Sequence, residues 1–242
     1  MNILILCIFD ETNRNKQLIK IQRDNFVNNY SIDYYFIIYD ENLTEEFKLI
    51  NDTLFIKGNE TYMNILDKTI KALRYFINIK DYDFIIRTNI STTFNYKLLY
   101  NYLNDIPKNN IYLGGIVFKI DWIDIKYGIT NENIEKFLLK YLYYFQGTCI
   151  ILSSDVAKNI IENSNKLIHD VIDDVSIGLF IKTYLPNSYL NYTNMPKTSI
   201  ISEETNIYDN NSIIYRHKSF NDEKDIKNMI NTFKIINNHN TI

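Results

Sequence analysis

The chain has 242 residues, 46% of them hydrophobic and 23% charged, enough for one large domain with a substantial core. Net charge is −3 with a pI near 5.7 and no basic block, which excludes nucleic acid as the main partner, because neutralising phosphates takes clustered Lys and Arg. No apolar run reaches bilayer-spanning length, so no membrane insertion is expected, and the chain reads as soluble and cytoplasmic.

The first apolar run, residues 3–9 (ILILCIF), is a strand pattern closed by Asp10 and Glu11. Helical spacing follows over 15–26 through Leu18, Ile21, Gln22 and Phe26, then a second strand over 33–39 (DYYFIIY) ending at Asp40. A short third strand covers 53–56. Gly58 breaks the chain before the clearest helix, 61–78, whose positions Tyr62, Ile65, Leu66, Thr69, Ile70, Leu73, Phe76 and Ile77 keep the 3.6-residue period. The next strand, 82–86, runs into FIIRTNIS (84–91), where an apolar run stops at Arg87, Thr88, Asn89 and Ser91.

Past Pro107 the rhythm changes. Residues 110–120 read as a strand interrupted by Gly114 and Gly115, and 121–140 are looser. A further strand is expected over 145–152 (FQGTCIIL), with Ser153 and Ser154 as caps for a helix over 155–162. Asp173 and Asp174 open a helix over 175–184, which Pro186 ends. Short strands near Tyr189 and over 212–216 precede a final amphipathic helix, 222–236. Repeated strand–helix units predict an α/β fold with a mostly parallel, Rossmann-like central sheet and helices on both faces. The chain reads as one domain, 1–242, in two halves, 1–106 and 107–242. Cys7 and Cys149 both lie in apolar runs and read as buried free thiols.

Ligands of open α/β sheets sit beyond the carboxyl ends of the strands, where Asp10, Asp40 and Arg87 to Ser91 fall. Asp10 after a strand suggests phosphotransfer, but that chemistry wants a second Asp where Thr12 stands. Lys68 shares a helix face with Asn64, beside Tyr62 and Thr69. It reads either as a phosphate contact or as a solvated flank, the second being favoured. Asp173 and Asp174 are either dipole complements or a general base. His217, between Arg216 and Lys218, is either structural or part of a cationic group suited to a diphosphate. No Cys/His metal spacing or Gly-rich phosphate loop is present.

Four blocks in order resemble the β-1,3-glycosyltransferase superfamily of β-1,3-galactosyltransferases and Fringe-like enzymes. They are ETYMNILDKT (60–69), DYDFIIRTNIS (81–91), QGTCIILSSD (146–155) and DDVSIG (173–178). The resemblance implies a GT-A-type α/β/α sandwich with 1–106 as the nucleotide-sugar half and 107–242 as the acceptor half. It implies transfer from a nucleotide-sugar, a UDP-sugar first among them, to the hydroxyl of a glycan or other acceptor, with inversion. Asp174 matches the family's candidate base and Asp173 its Glu neighbour, while Tyr62 and Lys68 fall near the donor. Arg87, Thr88, Asn89 and Ser91 then contribute to the donor site, with Asp10, Arg14 and Asp40 toward the nucleoside and Gln146 and Gly147 toward the acceptor. The departure is at Asn89-Ile90-Ser91, where relatives carry Asp-x-Asp. Losing two carboxylates weakens any Mn²⁺ or Mg²⁺ site, leaving Asn89, Ser91 and His217 as its candidate ligands. Arg87 is the expected substitute charge. The alternative is a GT-A-like shell that binds a carbohydrate or nucleotide-sugar without turnover. The Ile-, Asn-, Lys- and Tyr-rich composition suits an AT-rich microbe or a large DNA virus, whose protein would work in the host cytoplasm.

Overall fold

The computed structural model describes residues 1–26, 29–189, 195–202, 209–219 and 221–240. The first half builds β1 (Ile3–Ile8), α1 (Asn13–Asn25), β2 (Ile32–Asp40), β3 (Phe47–Ile50), β4 (Thr53–Lys57), α2 (Ile65–Ile77), β5 (Phe84–Asn89), β6 (Thr92–Phe94) and α3 (Tyr96–Asn104). The second adds β7 (Tyr112–Gly114), β8 (Val117–Lys119), α4 (Asn131–Lys136), β9 (Tyr143–Phe145), β10 (Cys149–Ser153), α5 (Ser154–Glu162), α6 (Asp173–Tyr184), β11 (Thr198–Ile201), β12 (Ile214–His217) and α7 (Asp222–Asn240).

Seven strands form the central sheet in the order β3-β4-β2-β1-β5-β10-β7. Strands β4, β2, β1 and β5 are mutually parallel; β3 and β10 run against them, and β7, antiparallel to β10, runs with them. Every residue of β1 is buried, which explains its unbroken apolar run at the centre of the sheet. Strands from both sides of residue 106 share this sheet, so the mixed, mostly parallel architecture expected from the sequence is present. Helices pack in two groups, α1 with α7 and α2 with α5 and α6. A small second core gathers Ile120, Ile129, Leu139, Leu142, Tyr144, Val171, Ile172 and Val175. Among the described residues no helix is long and apolar enough to cross a membrane.

Two features of this topology position the site. After β2 and β4 the chain returns to the other side of β1 to form β5, so the strand order reverses between β1 and β5; in open α/β sheets such a reversal is where ligands sit in a crevice beyond the carboxyl ends. Strand β10 then pairs antiparallel to β5, with Cys149 opposite Thr88, which sets the residues just before β10 beside the end of β5. A second sheet, β11-β12-β6, places Arg216 opposite Thr92, immediately past β5.

Several expected elements resolve differently. The run FQGTCIIL is not one strand: Phe145 ends β9, which pairs with β8, and Cys149 begins β10 in the main sheet, with Gln146–Thr148 turning between them. The Gly-Gly interruption likewise separates β7 in the main sheet from β8 outside it. A Cβ on Gly114 would stand 2.5 Å from the Cys149 carbonyl oxygen, so the close approach requires glycine. The long helix begins at Ile65 rather than residue 61, because Thr61 accepts from Asn64 N–H in a preceding turn. Tyr189 follows a 3₁₀ turn (Pro186–Ser188) instead of lying in a strand, and its hydroxyl donates to the Tyr143 carbonyl at 2.7 Å; residues 190–194 lie outside the described residues. Cys7 and Cys149 are buried and free, with Thr88 of β5 between them in register.

Candidate active site

The end of β5 and the start of α6 meet at a single residue, Gly147. The Gly147 carbonyl accepts from the Arg87 guanidinium and, at 3.4 Å, from the Asn89 amide, while the Gly147 N–H donates to Asp174 Oδ2 at 2.9 Å. A Cβ on Gly147 would lie 2.4 Å from Arg87 Nη1, so the guanidinium can reach this carbonyl only past a glycine. Thr88 and Thr92 fix the neighbouring carbonyl: their hydroxyls donate to Thr148 O at 2.7 Å and 3.2 Å. Gln146 Oε1 accepts from Thr148 Oγ1 at 2.9 Å, which closes the turn from inside.

Arg87 is buried, and its Nη2 stands 2.7 Å from Asp173 Oδ2. Its positive charge is therefore matched within the protein by Asp173. A buried pair of this kind contributes to position more than to stability, because desolving two ions offsets their attraction. Asp174 is also buried, at 5% exposure, and each oxygen accepts one backbone N–H, Oδ2 from Gly147 and Oδ1 from Val175 at 2.9 Å. Its pKa is pushed up to about 7, first by burial and then by the negative Asp173 beside it; the two N–H groups and Arg87 act the other way. A carboxylate oxygen has a second lone pair, so Asp174 can still take a hydroxyl proton while held in place. A base that titrates near neutrality suits that task.

Tyr62 flanks this side. It is half-exposed, its ring lies 5.1 Å from that of Tyr127, and Lys126 Nζ stands 5.2 Å above it. Burial of the hydroxyl, with Tyr127 and Asp174 nearby, raises its pKa. Gly178, one turn into α6, lies where a Cβ would come within 2.7 Å of Tyr144 Cβ, so the helix packs on β9 through a glycine and its first turn faces the Gly147 peptide.

On the other side of Asn89 a second arginine enters. Arg216 Nη1 donates to both Asn89 Oδ1 and Ser91 Oγ. Thr92 Oγ1 donates to the same amide oxygen at 2.9 Å. His217, next on β12, turns away: its Nε2 lies 3.1 Å from Thr93 Oγ1, its other ring nitrogen has no partner among the described residues, and burial depresses its pKa to about 3. It is neutral and apart from the Asn89–Ser91 pair.

Asp10 accepts from the Asn15 amide and Asp40 from Asn42 N–H at 2.9 Å, so each closes its own strand-end turn. Arg14 pairs with Asp225 at 2.7 Å and Asp222 at 3.2 Å, linking α1 to α7. Lys68 corrects the solvated-flank reading. It is fully buried, donates to the Phe9 carbonyl at 3.0 Å and pairs with Glu60. Burial lowers its pKa, with Glu60 opposing. Lys68 thus braces the end of β1 beneath Asp10. The structure brings together Arg87, Thr88, Asn89, Ser91, Gln146, Gly147, Asp173 and Asp174, with Tyr62 alongside; Asp40 and His217 lie outside that group. Glu60, and the placing of Arg216 on Asn89, escaped the sequence reading.

An Mn²⁺ or Mg²⁺ ion does not fit these donors. Asn89 and Ser91 are neutral oxygens already bonded to a cation, His217 points elsewhere, and among the described residues no three His, Cys, Asp or Glu side chains converge.

Residues 38–185 match the galactosyltransferase family model, and the chain belongs to that family. It is 23% identical over 152 residues to the UDP-GalNAc:beta-1,3-N-acetylgalactosaminyltransferase 2 of Xenopus laevis, covering 62% of this chain and 31% of that protein. The human protein of the same name is also 23% identical, over 154 residues, 62% of this chain and 30% of its own. The chain therefore spans about a third of the length of these curated relatives. Among solved structures, a glycosyltransferase involved in the glycosylation of the major capsid of PBCV-1 aligns with 95% of this chain and 98% of its own at 10% identity, TM-score 0.49. The galactosyltransferase LgtC, in complex with donor and acceptor sugar analogs, aligns with 98% of this chain and 96% of its own at 11% identity, TM-score 0.44.

Proposed function

We propose that this chain transfers a hexose from a nucleotide-sugar to an acceptor hydroxyl with inversion, and that Asp174 is the base. The observation that carries this reading is Gly147, which joins Asp174 to the Asn89 strand end through its N–H on one side and its carbonyl on the other. The donor lies in the crevice beyond β1 and β5, and the acceptor approaches from the Tyr62 and Tyr127 side. Asp174 removes the acceptor hydroxyl's proton as that oxygen attacks the anomeric carbon; the carbon–oxygen bond to the nucleoside diphosphate breaks on the opposite face, and the diphosphate leaves with the electron pair. Arg87 holds Asp173 beside the base, and burial together with that negative neighbour keeps the Asp174 pKa high enough to accept a proton. The family assignment and the names of its relatives, which include UDP-GalNAc, make a UDP-sugar the first donor to test.

The test is a screen of UDP-sugars against simple glycoside acceptors, following UDP release and product stereochemistry, with Asp174→Asn alongside. Release from the wild type and its loss in the variant are expected. Undiminished turnover in the variant removes Asp174 as base, and donor binding without release under every acceptor makes the chain a binding protein.

A further inference from the structure

We infer that Arg216 is the cation that binds the donor's diphosphate, in the role a divalent metal has where a family member carries Asp-x-Asp. The inference rests on the donor reading above and identifies how this chain performs it.

The geometry is specific. One guanidinium nitrogen, Nη1, meets both side chains of the Asn89-Ile90-Ser91 stretch, the amide oxygen and the hydroxyl. Those two groups orient a cation without cancelling it. Thr92 Oγ1 at 2.9 Å and Ser91 Oγ at 3.4 Å also address Asn89 Oδ1, and the amide nitrogen donates to Gly147 O, so the oxygen is fixed toward Arg216. The backbone helps as well, since His217 N–H donates to Ser91 O at 2.9 Å and ties β12 to this stretch.

The surrounding charges are already matched. Asp173 pairs with Arg87 at 2.7 Å. Asp225 pairs with Arg14 at 2.7 Å and accepts from Ser219 N–H and Oγ, both at 2.8 Å. Among the described residues no carboxylate lies within ion-pair distance of Arg216, although it is mostly buried between Arg14, Arg87 and Asp225. A buried cation without a counter-ion is costly, and an arriving anion removes that cost. A planar guanidinium is suited to phosphate oxygens. Two carboxylates at 89 and 91 would instead neutralise Arg216, so the neutral residues keep a positive charge available at the strand end. A divalent ion here would meet a fixed like charge.

The experiment is calorimetric titration of UDP into the wild type, Arg216→Met and Arg216→Lys, each in EDTA and in Mn²⁺, with circular dichroism to verify folding. The wild type is expected to bind equally in both buffers. Arg216→Met should weaken binding by roughly tenfold to a hundredfold, as loss of charge-assisted hydrogen bonds does, and Arg216→Lys by less. Wild-type binding that requires Mn²⁺, or a folded Arg216→Met variant that binds like the wild type, overturns the inference and leaves the donor reading standing. If Arg216→Met does not fold, the EDTA and Mn²⁺ titrations of the wild type decide. A wild type that binds UDP in neither buffer overturns the donor reading itself.

Discussion

The two arginines that flank Asn89 make an instructive contrast. Arg87 comes from β5, is buried against Asp173, and donates to the Gly147 carbonyl in the turn before β10. Arg216 comes from β12, meets only neutral oxygens on this stretch, and is partly open. They share a chemistry and differ in what surrounds it. Arg87 is a structural charge whose partner is internal, whereas Arg216 keeps its charge for something outside the protein. A cation near a crevice is thus informative only once its carboxylates have been accounted for.

The contrast breaks most sharply at the group Arg87 serves. Asp174→Asn should lower kcat by about 10²–10⁴-fold while UDP affinity, which depends on the Arg216 side, stays within error; steady-state kinetics and calorimetry on the same preparation check both. Next in size is stability. Arg87→Met leaves Asp173 buried and unpaired and should cost about 3–5 kcal/mol in urea unfolding, with a clearly smaller loss for Arg216→Met, which strands no carboxylate. Equal losses would erase the distinction. Gly147→Ala then probes the peptide between the two sides: its Cβ, 2.4 Å from Arg87 Nη1, forces a shift worth about 1–3 kcal/mol and should lower UDP affinity and kcat together.

The contrast can also be sharpened through pH dependence, which has two signs. Asp174 has a folded pKa of about 7 against an unfolded value of about 3.9, so the stability it contributes is complete below about 3.9 and is lost as pH rises to about 7. Turnover should climb over the upper part of that window as the base ionises, and Asp174→Asn should flatten this limb of the stability profile. His217 acts oppositely. Its folded pKa of about 3 lies below an unfolded value of about 6.5, so its contribution is present above about 6.5 and is lost as pH falls toward about 3. Unfolding midpoints of His217→Gln across pH should lack that acid loss.

Much of the central sheet and of the site was legible because its information is local. The all-apolar β1, the period of α2 and the abrupt end of β5 each lie within a dozen residues, and the acidic start of α6 needs only the chain around it. The broken strands were misread because Gln146–Thr148 and Gly114–Gly115 change sheets, which depends on pairing partners absent from the local pattern. Lys68 looked solvated because helical period places it near the polar edge; its burial depends on Glu60, eight residues earlier in a turn of no regular period. Arg216 was noticed for its charge but could not be placed, since its contact with Asn89 spans 127 residues and exists only once β12 pairs with β6.

One residue, Gly147, ties the base to the strand end: its carbonyl, in the peptide shared with Thr148, accepts from Arg87 and Asn89, and its N–H, in the peptide shared with Gln146, donates to Asp174. A turn about the backbone bonds of this glycine would loosen the proton acceptor and the Asn89 amide in the same movement. Strain placed on the glycine itself should therefore lower affinity and turnover in step, whereas a change confined to the Asp174 carboxylate touches turnover alone.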